Sequence, residues 1–223
     1  MTVEETTVSA KAEEYLEAIY RLEKKIGVAK TLELARQLKV VPGSVTNTIE
    51  SLERRGLVIH EPYKGAKLTE KGRKLAINVL RRHRLAERLL TDVLGLDWSR
   101  AHDAACKLEH GIAEDIVKPL EKALRHPKTC PHGNPVPTAC GGIIEEKSEP
   151  LTNLDPGEKG TIAKITKEES DVLQHLATLG IMPGVTVEVE EKAPFDGFVI
   201  IKVGDVSHRL EHKCASIINV RRS

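Results

Sequence analysis

Residues 31–69 read TLELARQLKVVPGSVTNTIESLERRGLVIHEPYKGAKLT, and this stretch decides the fold. Its opening, TLELARQLK, fits a short helix with Thr31 as the N-cap. VVPG at 40–43 breaks it. SVTNTIESLERRG at 44–56 predicts a second helix ended by Gly56 as C-cap. LVIHEPYKGAKLT then gives two short extended runs around a Lys64–Gly65 turn. Ahead of the stretch, Tyr15, Leu16, Ile19, Tyr20 and Leu22 recur at helical spacing and predict a helix from about Ala12 to Lys25. Helix, helix, tight turn, helix, β-hairpin is the winged helix-turn-helix plan.

A recognition helix must carry short polar side chains where base edges are within reach. Ser44, Thr46, Asn47 and Thr48 do so at the start of the third helix, with Pro42 and Gly43 leading into it. Lys64 and Lys67 on the wing, with Arg54, Arg55 and Lys71, suit phosphates. Residues 1–80 hold 14 Lys or Arg against 11 Asp or Glu, so the segment is only mildly basic. Affinity then calls for two copies, a homodimer on palindromic double-stranded DNA. A winged helix used for protein contacts is the competing reading, and the Lys–Gly wing favours DNA.

The chain of 223 residues allows one to three domains. Charged residues make up 30% but net to +1, so no uniform field draws nucleic acid nonspecifically. Aromatics are 3%, which leaves Leu, Ile, Val and Ala to build the cores. Cys106, Cys130, Cys140 and Cys214 give no disulfide framework, although Cys130 and Cys140 could pair with each other. The acidic N-terminus lacks a signal-like apolar segment, and no run approaches the ~18 apolar residues of a membrane span. These features predict a cytoplasmic protein with reduced thiols and no membrane partner.

From Glu70 to about Leu94 the pattern is helical, with Leu75, Val79, Leu89, Leu90 and Val93 along one stripe. GLDWS interrupts it and offers Ser99 as the next cap. One further helix is expected after Pro119, where proline suits a first turn. HPKTCPHGNPVPTACGG at 126–142 reads as loop and linker. GTIAKI, VTVEVEEK, GFVIIKV, VSHRL and SIINVRR are β-type runs, with one helix near Ser170–Leu179. The expected architecture is mainly α with small β parts: a winged helix-turn-helix at 1–74, a helical metal-binding and dimerisation domain at 75–140, a linker at 141–150, and an SH3-like β-barrel at 151–223.

HDAACKLEH at 102–110 puts His102, Cys106, Glu109 and His110 on one helical face. Imidazole, thiol and carboxylate make a poor core and an unusual surface. In RRHRLAERL, His83 and Glu87 are again one turn apart. AEEYLEAIY adds Glu14 and Glu17. Each pair alone suits a solvated face, and a lone Cys106 a small buried hydrophobe. Together, three helices could converge on a divalent transition metal, because calcium and magnesium prefer oxygen alone.

The chain resembles the diphtheria toxin repressor family of iron- and manganese-dependent regulators. The resemblance rests on YLEAIYRLE at 15–23, HRLAERLLTDVLGLD at 83–97, HDAACKLEH at 102–110 and GNPVP at 133–137, and it spans nearly the whole chain. It implies one metal site from His83, Glu87 and His102. To these the barrel adds Glu169 or, more weakly, Asp171, and a second barrel position falls near Val172, which cannot ligate. It implies another site from Cys106, Glu109 and His110, completed by Glu14 or Glu17. Iron-type members place methionine where this chain has Glu14. Manganese-type members place acids at the positions of both Glu14 and Glu17 but glutamate in place of Cys106. Thiolate is soft, so Fe(II) is the expected cofactor and Mn(II) the alternative, with Zn, Co or Ni able to substitute in vitro.

Two further groups carry readings of their own. Cys130, His132 and Cys140 suit either a separate zinc or redox site or a linker turn with incidental thiols, and the prolines favour the turn. His208, His212 and Cys214 are assigned to structure. The barrel also resembles the small domain of ferrous-iron transport accessory proteins. The expected function is a metal-activated repressor without enzymatic activity or a small organic substrate. A metallohydrolase, or a sensor acting on a transporter through its barrel, competes with it.

Overall fold

The computed structural model describes residues 8–61, 64–194 and 197–222. The described residues form two compact units, those up to 82 with 137–142, and those of 83–136 with those from 143 onward. Among the described residues no helix is long and apolar enough to cross a membrane.

The first unit opens with α1, Ala10–Ile26, where the Ser9 hydroxyl accepts from the Ala12 N–H and Gly27 closes the far end. Tyr15, Leu16 and Ile19 are almost wholly buried along one stripe. α2, Thr31–Gln37, starts one residue earlier than expected: Lys30 rather than Thr31 occupies the cap position, and no side chain caps the helix. α3, Pro42–Arg54, starts two residues earlier than its polar run, because Pro42 fits a first turn. Val45, Ile49 and Leu52 turn its apolar face inward. Arg55 rather than Gly56 is its C-cap, and Gly56 follows at φ 67°. β1, Val58–Glu61, and β2, Gly65–Leu68, pair antiparallel from Val58↔Leu68 to Glu61↔Gly65. Pro62 and Tyr63 of the expected turn lie outside the described residues.

Lys39, between α2 and α3, has φ 55°. A side chain there costs roughly 1–2 kcal/mol, part of which glycine returns through its greater freedom in the unfolded chain. Lys39→Gly is therefore expected to stabilise the first unit by about 0.5–1 kcal/mol, read as a raised melting temperature.

α4, Glu70–Arg88, runs straight into a π-helical turn, Leu89–Val93. α5, Trp98–Leu108, continues into a 3-10 turn, Glu109–Gly111. Its cap is Asp97 rather than Ser99, for Asp97 Oδ1 accepts from both the N–H and the hydroxyl of Ser99. α6, Glu114–Ala123, starts five residues before Pro119 and holds that proline inside. The bond so lost is to the carbonyl of exposed Asp115, which water can serve.

Residues 126–136 fold back on themselves, with Thr129 bridging Pro135 and the Cys130 N–H on the Asn134 carbonyl. The chain then forms β3, Glu149–Pro150, β4, Lys159–Ile165, α7, Ser170–Thr178, β5, Thr186–Lys192, β6, Phe198–Val203, β7, Val206–Glu211, α8, His212–Ala215, and β8, Ile218–Arg222. Every strand pair is antiparallel, in the order β3-β8-β4-β5-β6-β7. Alternating Ile162, Val187, Val189, Val199, Ile201, Leu210 and Val220 close with Leu173 and Leu176 into an aliphatic core. Trp98 packs against that core, which joins α5 to the sheet within the second unit.

Candidate metal centre

His83 and Glu87 sit one turn apart on α4 and are fully buried. His102 and Cys106 sit one turn apart on α5. The two helices bring His83 Nε2 to 3.0 Å from His102 Nδ1 and 3.1 Å from Glu87 Oε1. Cys106 Sγ lies 3.8 Å from His102 Nε2 and 4.0 Å from His83 Nδ1. His83, His102 and Cys106 thus offer three ligand atoms within 4.8 Å of one another.

A second donor group adjoins the first. Glu87, Cys130, His132 and Glu168 are all buried and present their atoms within the same 4.8 Å span. His132 Nδ1 lies 3.2 Å from Glu87 and 3.4 Å from Glu168. The sequence reading of Cys130 and His132 as parts of an incidental linker turn is corrected here. Their loop is docked on β4: the Ile165 N–H donates to the His132 carbonyl, and Asn134 Nδ2 donates to the Ile165 carbonyl and to Glu168. Gly133, at φ 84°, approaches so closely that a Cβ would stand 2.0 Å from the Ala163 carbonyl oxygen. The prolines do not prevent convergence. A Cys-Pro-His turn was the available signal. Cys140 takes no part and is exposed, and all four thiols are free.

Of the acids in this barrel segment, it is Glu168 and not Glu169 that faces the donor group. Glu169, at the cap of α7, pairs with Lys167 at 3.0 Å, its side chain 62% exposed, and Asp171 is exposed as well. The buried acid is Glu168, because consecutive side chains in an extended segment face opposite ways. Glu168→Gln is therefore expected to weaken metal binding about 10–100-fold, while Glu169→Gln leaves it unchanged, as metal titration would read.

Glu109 and His110 are arranged differently from a simple trio with Cys106. Glu109 is buried, its Oε2 2.5 Å from His83 Nδ1 and its Oε1 3.3 Å from His110 Nε2. In the first unit, Glu14 is exposed and Glu17 is buried, bonded to Arg21 at 2.7 Å.

Buried carboxylates here demand positive charge. Arg84 supplies one, reaching Glu87 at 3.2 Å, Cys130 Sγ at 3.3 Å, and Glu168. Burial alone would raise the Glu87 pKa, but His83 and Arg84 outweigh it and hold the carboxyl well below its usual range. Burial opposes a charged ring at His132, yet Cys130, Glu168 and Glu87 push it up to about 12. At His102 burial is likewise outweighed, by Cys106 and Glu87, and the ring is pushed up to about 9. The Cys106 thiol is lowered, because His102 and His83 more than offset its desolvation. Protons thus take the part of a cation.

The donor set fits a divalent transition metal. His132 Nε2 lies 2.8 Å from the Trp98 carbonyl, which can only accept, so Nε2 carries the hydrogen. When the ring is neutral, Nδ1 presents its lone pair to the cluster, as a ligand fixed by an outer partner requires. Glu109 does the same for His83 from its Nδ1 side.

On α3, Pro42, Gly43, Thr46 and Asn47 are exposed and Ser44 and Thr48 half-buried, while Lys64 and Lys67 are exposed on the wing. Thr46 and Thr48 hydroxyls turn back on the carbonyls of Pro42 and Ser44. Asn47 is the amide left facing outward.

Residues 7–66 match the pattern of the iron dependent repressor N-terminal DNA binding domain. Residues 69–138 match the iron dependent repressor metal binding and dimerisation domain, and 149–222 the FeoA domain. Iron-dependent repressor IdeR of Mycobacterium tuberculosis is 35% identical, covering 94% of this chain and 96% of its own length. The diphtheria toxin repressor of Corynebacterium glutamicum is 33% identical, with coverages of 94% and 95%. A manganese-dependent transcriptional repressor solved in complex with manganese superposes with a TM-score of 0.85 at 28% identity, over 95% of this chain and all of its own. The crystal structure of T. acidophilum IdeR gives 0.79 at 30% identity, covering both chains in full.

Proposed function

The chain belongs to the iron-dependent repressor family, and from that premise we propose that it is an Fe(II)-activated repressor that grips palindromic DNA as a homodimer. Metal-dependent repression is the family's activity, and the finer assignments are ours. The observation that carries them is the pair of adjoining donor groups, each with one thiol, His83/His102/Cys106 and Glu87/Cys130/His132/Glu168.

Bound there, a divalent ion supplies concentrated positive charge and fixed bond directions. Cys106 and Cys130 favour iron, being soft donors, while Glu87 and Glu168 keep Mn(II) as a second reading. His83, His102 and His132 give up protons to become ligands. Glu109 and the Trp98 carbonyl hold two of those rings in the ligating tautomer. Arg84 helps keep Glu87 ionised and is ion-paired with Glu168. Glu14, the exposed acid of α1, with Glu17 beside it, ties the DNA-reading unit to the metal-holding one and so sets the spacing of two recognition helices near 34 Å. The division of labour follows 1–74, 75–140 and 151–223, and the protein acts on DNA in the cytoplasm without catalysing a reaction.

An anaerobic gel-shift on operator DNA, with chelator, Fe(II) and Mn(II) in turn, tests this reading. Retention with Fe(II) alone or at lower Fe(II) than Mn(II) is expected. Retention independent of metal, or hydrolysis lost with the metal and no retention, overturns it. A Glu14→Ala, Glu17→Ala double variant is expected to need more metal for the same shift; an unchanged requirement would remove the tether.

A further inference from the structure

Two carboxylates hold the wing, one from each neighbouring helix. Glu53 of α3 accepts the His60 N–H of β1 at 3.0 Å. Glu23 of α1 accepts the Leu68 N–H of β2 at 2.9 Å, and its other oxygen takes Arg73 Nη2 at 2.8 Å. The Glu23 side chain is only 8% exposed, so these bonds are shielded from water. The Arg73 guanidinium in turn lies 5.8 Å over the Tyr20 ring of α1. Just past α1, Ala29 and Ala66 exchange both backbone bonds, at 3.0 and 2.9 Å. Gly65 makes that approach possible: at φ 120°, a Cβ there would stand 2.7 Å from the Ala29 carbonyl oxygen and 2.9 Å from Val28 Cγ2.

From this geometry we infer that Glu23 is a positioning residue for DNA binding: it makes α1 and the wing one rigid piece, so that whatever orients α1 also orients Lys64 and Lys67. The inference rests on the reading above, in which α1 answers to metal and the wing meets phosphate. The two lysines reach DNA only through backbone that Glu23 and residues 65–66 hold. Releasing the wing lets it move without disturbing His83, Glu87, His102, Cys106, Cys130, His132 and Glu168, which belong to the other unit.

The test is the salt dependence of DNA binding by the full chain at saturating Fe(II), beside metal titration and amide exchange. Each phosphate contact contributes ~0.9 to the slope of log affinity against log salt, so two lysines from each of two protomers carry about 3.6. Glu23→Ala is expected to lower the slope by about that amount, to expose the Leu68 amide to exchange, and to leave metal affinity unchanged. Lys64→Ala, Lys67→Ala should lose the same slope, and adding Glu23→Ala to the pair should lose no more. Glu23→Gln keeps a carbonyl oxygen for Leu68 and should restore most of the slope. Gly65→Ala unclamps the wing with Glu23 intact and should copy Glu23→Ala. If Glu23→Ala or Gly65→Ala lowers only the melting temperature and keeps the wild-type slope, while the lysine pair loses it, the clamp is wrong. An unchanged slope in the lysine pair shows that the wing does not meet DNA, and both the reading and the inference fall.

Discussion

Glu87→Ala is expected to abolish metal-dependent DNA retention and, in metal-free protein, to cost the second unit about 3–5 kcal/mol. Both effects follow from its position at the hub of the two donor groups. Its Oε1 lies 3.1 Å from His83 Nε2, 3.2 Å from His132 Nδ1 and 3.3 Å from His102 Nδ1, and its Oε2 faces Arg84 at 3.2 Å. Alanine leaves that buried guanidinium with Glu168 as its remaining carboxylate partner, and deprives three imidazoles of their shared acceptor. Chemical unfolding in chelator reads the stability loss, and a gel-shift across a metal range reads the function. Glu87→Gln separates the two: it keeps shape and an acceptor, so it should recover part of the stability but little of the metal response. Wild-type retention in either variant would mean that this cluster does not hold the activating ion.

The second large effect is on pH. His102 is pushed up to about 9 from an ordinary 6.5, so the folded metal-free protein holds this proton more tightly than the unfolded chain does. Its stabilisation is therefore complete below pH 6.5 and disappears as pH rises through about 9, a change on the order of 3 kcal/mol. Metal binding runs the other way. An ion that takes the His102 nitrogen must displace the proton, so affinity should climb about tenfold per pH unit for each proton released, until pH passes 9. His132, at about 12, adds its own proton to that count over the whole range. Metal titrations at pH 6.5 and 8, beside melting curves in chelator at pH 6 and 9, measure both trends. Affinity flat across that interval would show that neither ring is a ligand.

The fold was readable wherever periodicity or turn chemistry acts locally. The helix–turn–helix–hairpin order of 31–69 and the β-runs after Thr161 need only short-range signals, and the helices carrying His83, Glu87, His102 and Cys106 show the donors' shared faces directly. Boundaries moved where a backbone preference competed. Pro42 drew α3 forward, Asp97 displaced Ser99 as a cap, and Pro119 was absorbed because its missing bond faces water. The larger differences in side-chain placement were of tertiary origin. Nothing local distinguishes Glu168 from Glu169, since only the direction from which β4 enters α7 decides which carboxylate faces inward. Cys130 and His132 looked incidental because their partners lie 43 residues earlier in Glu87 and 36 later in Glu168, as counted from Cys130 and His132 respectively. Composition marks such a segment as a linker, whereas the fold buries it beside Glu87 and Glu168.

Trp98 is the chain's only tryptophan, and its ring centre lies 5.5 Å from that of His132, whose Nε2–H its own carbonyl receives. A charged imidazole so near an indole quenches its light, and a ring that has surrendered its proton does so differently. The protein therefore contains its own optical gauge. Emission excited in the indole band should change as the His132 cluster loads, without any label, and substituting Phe for His132 should silence that change while leaving the indole bright.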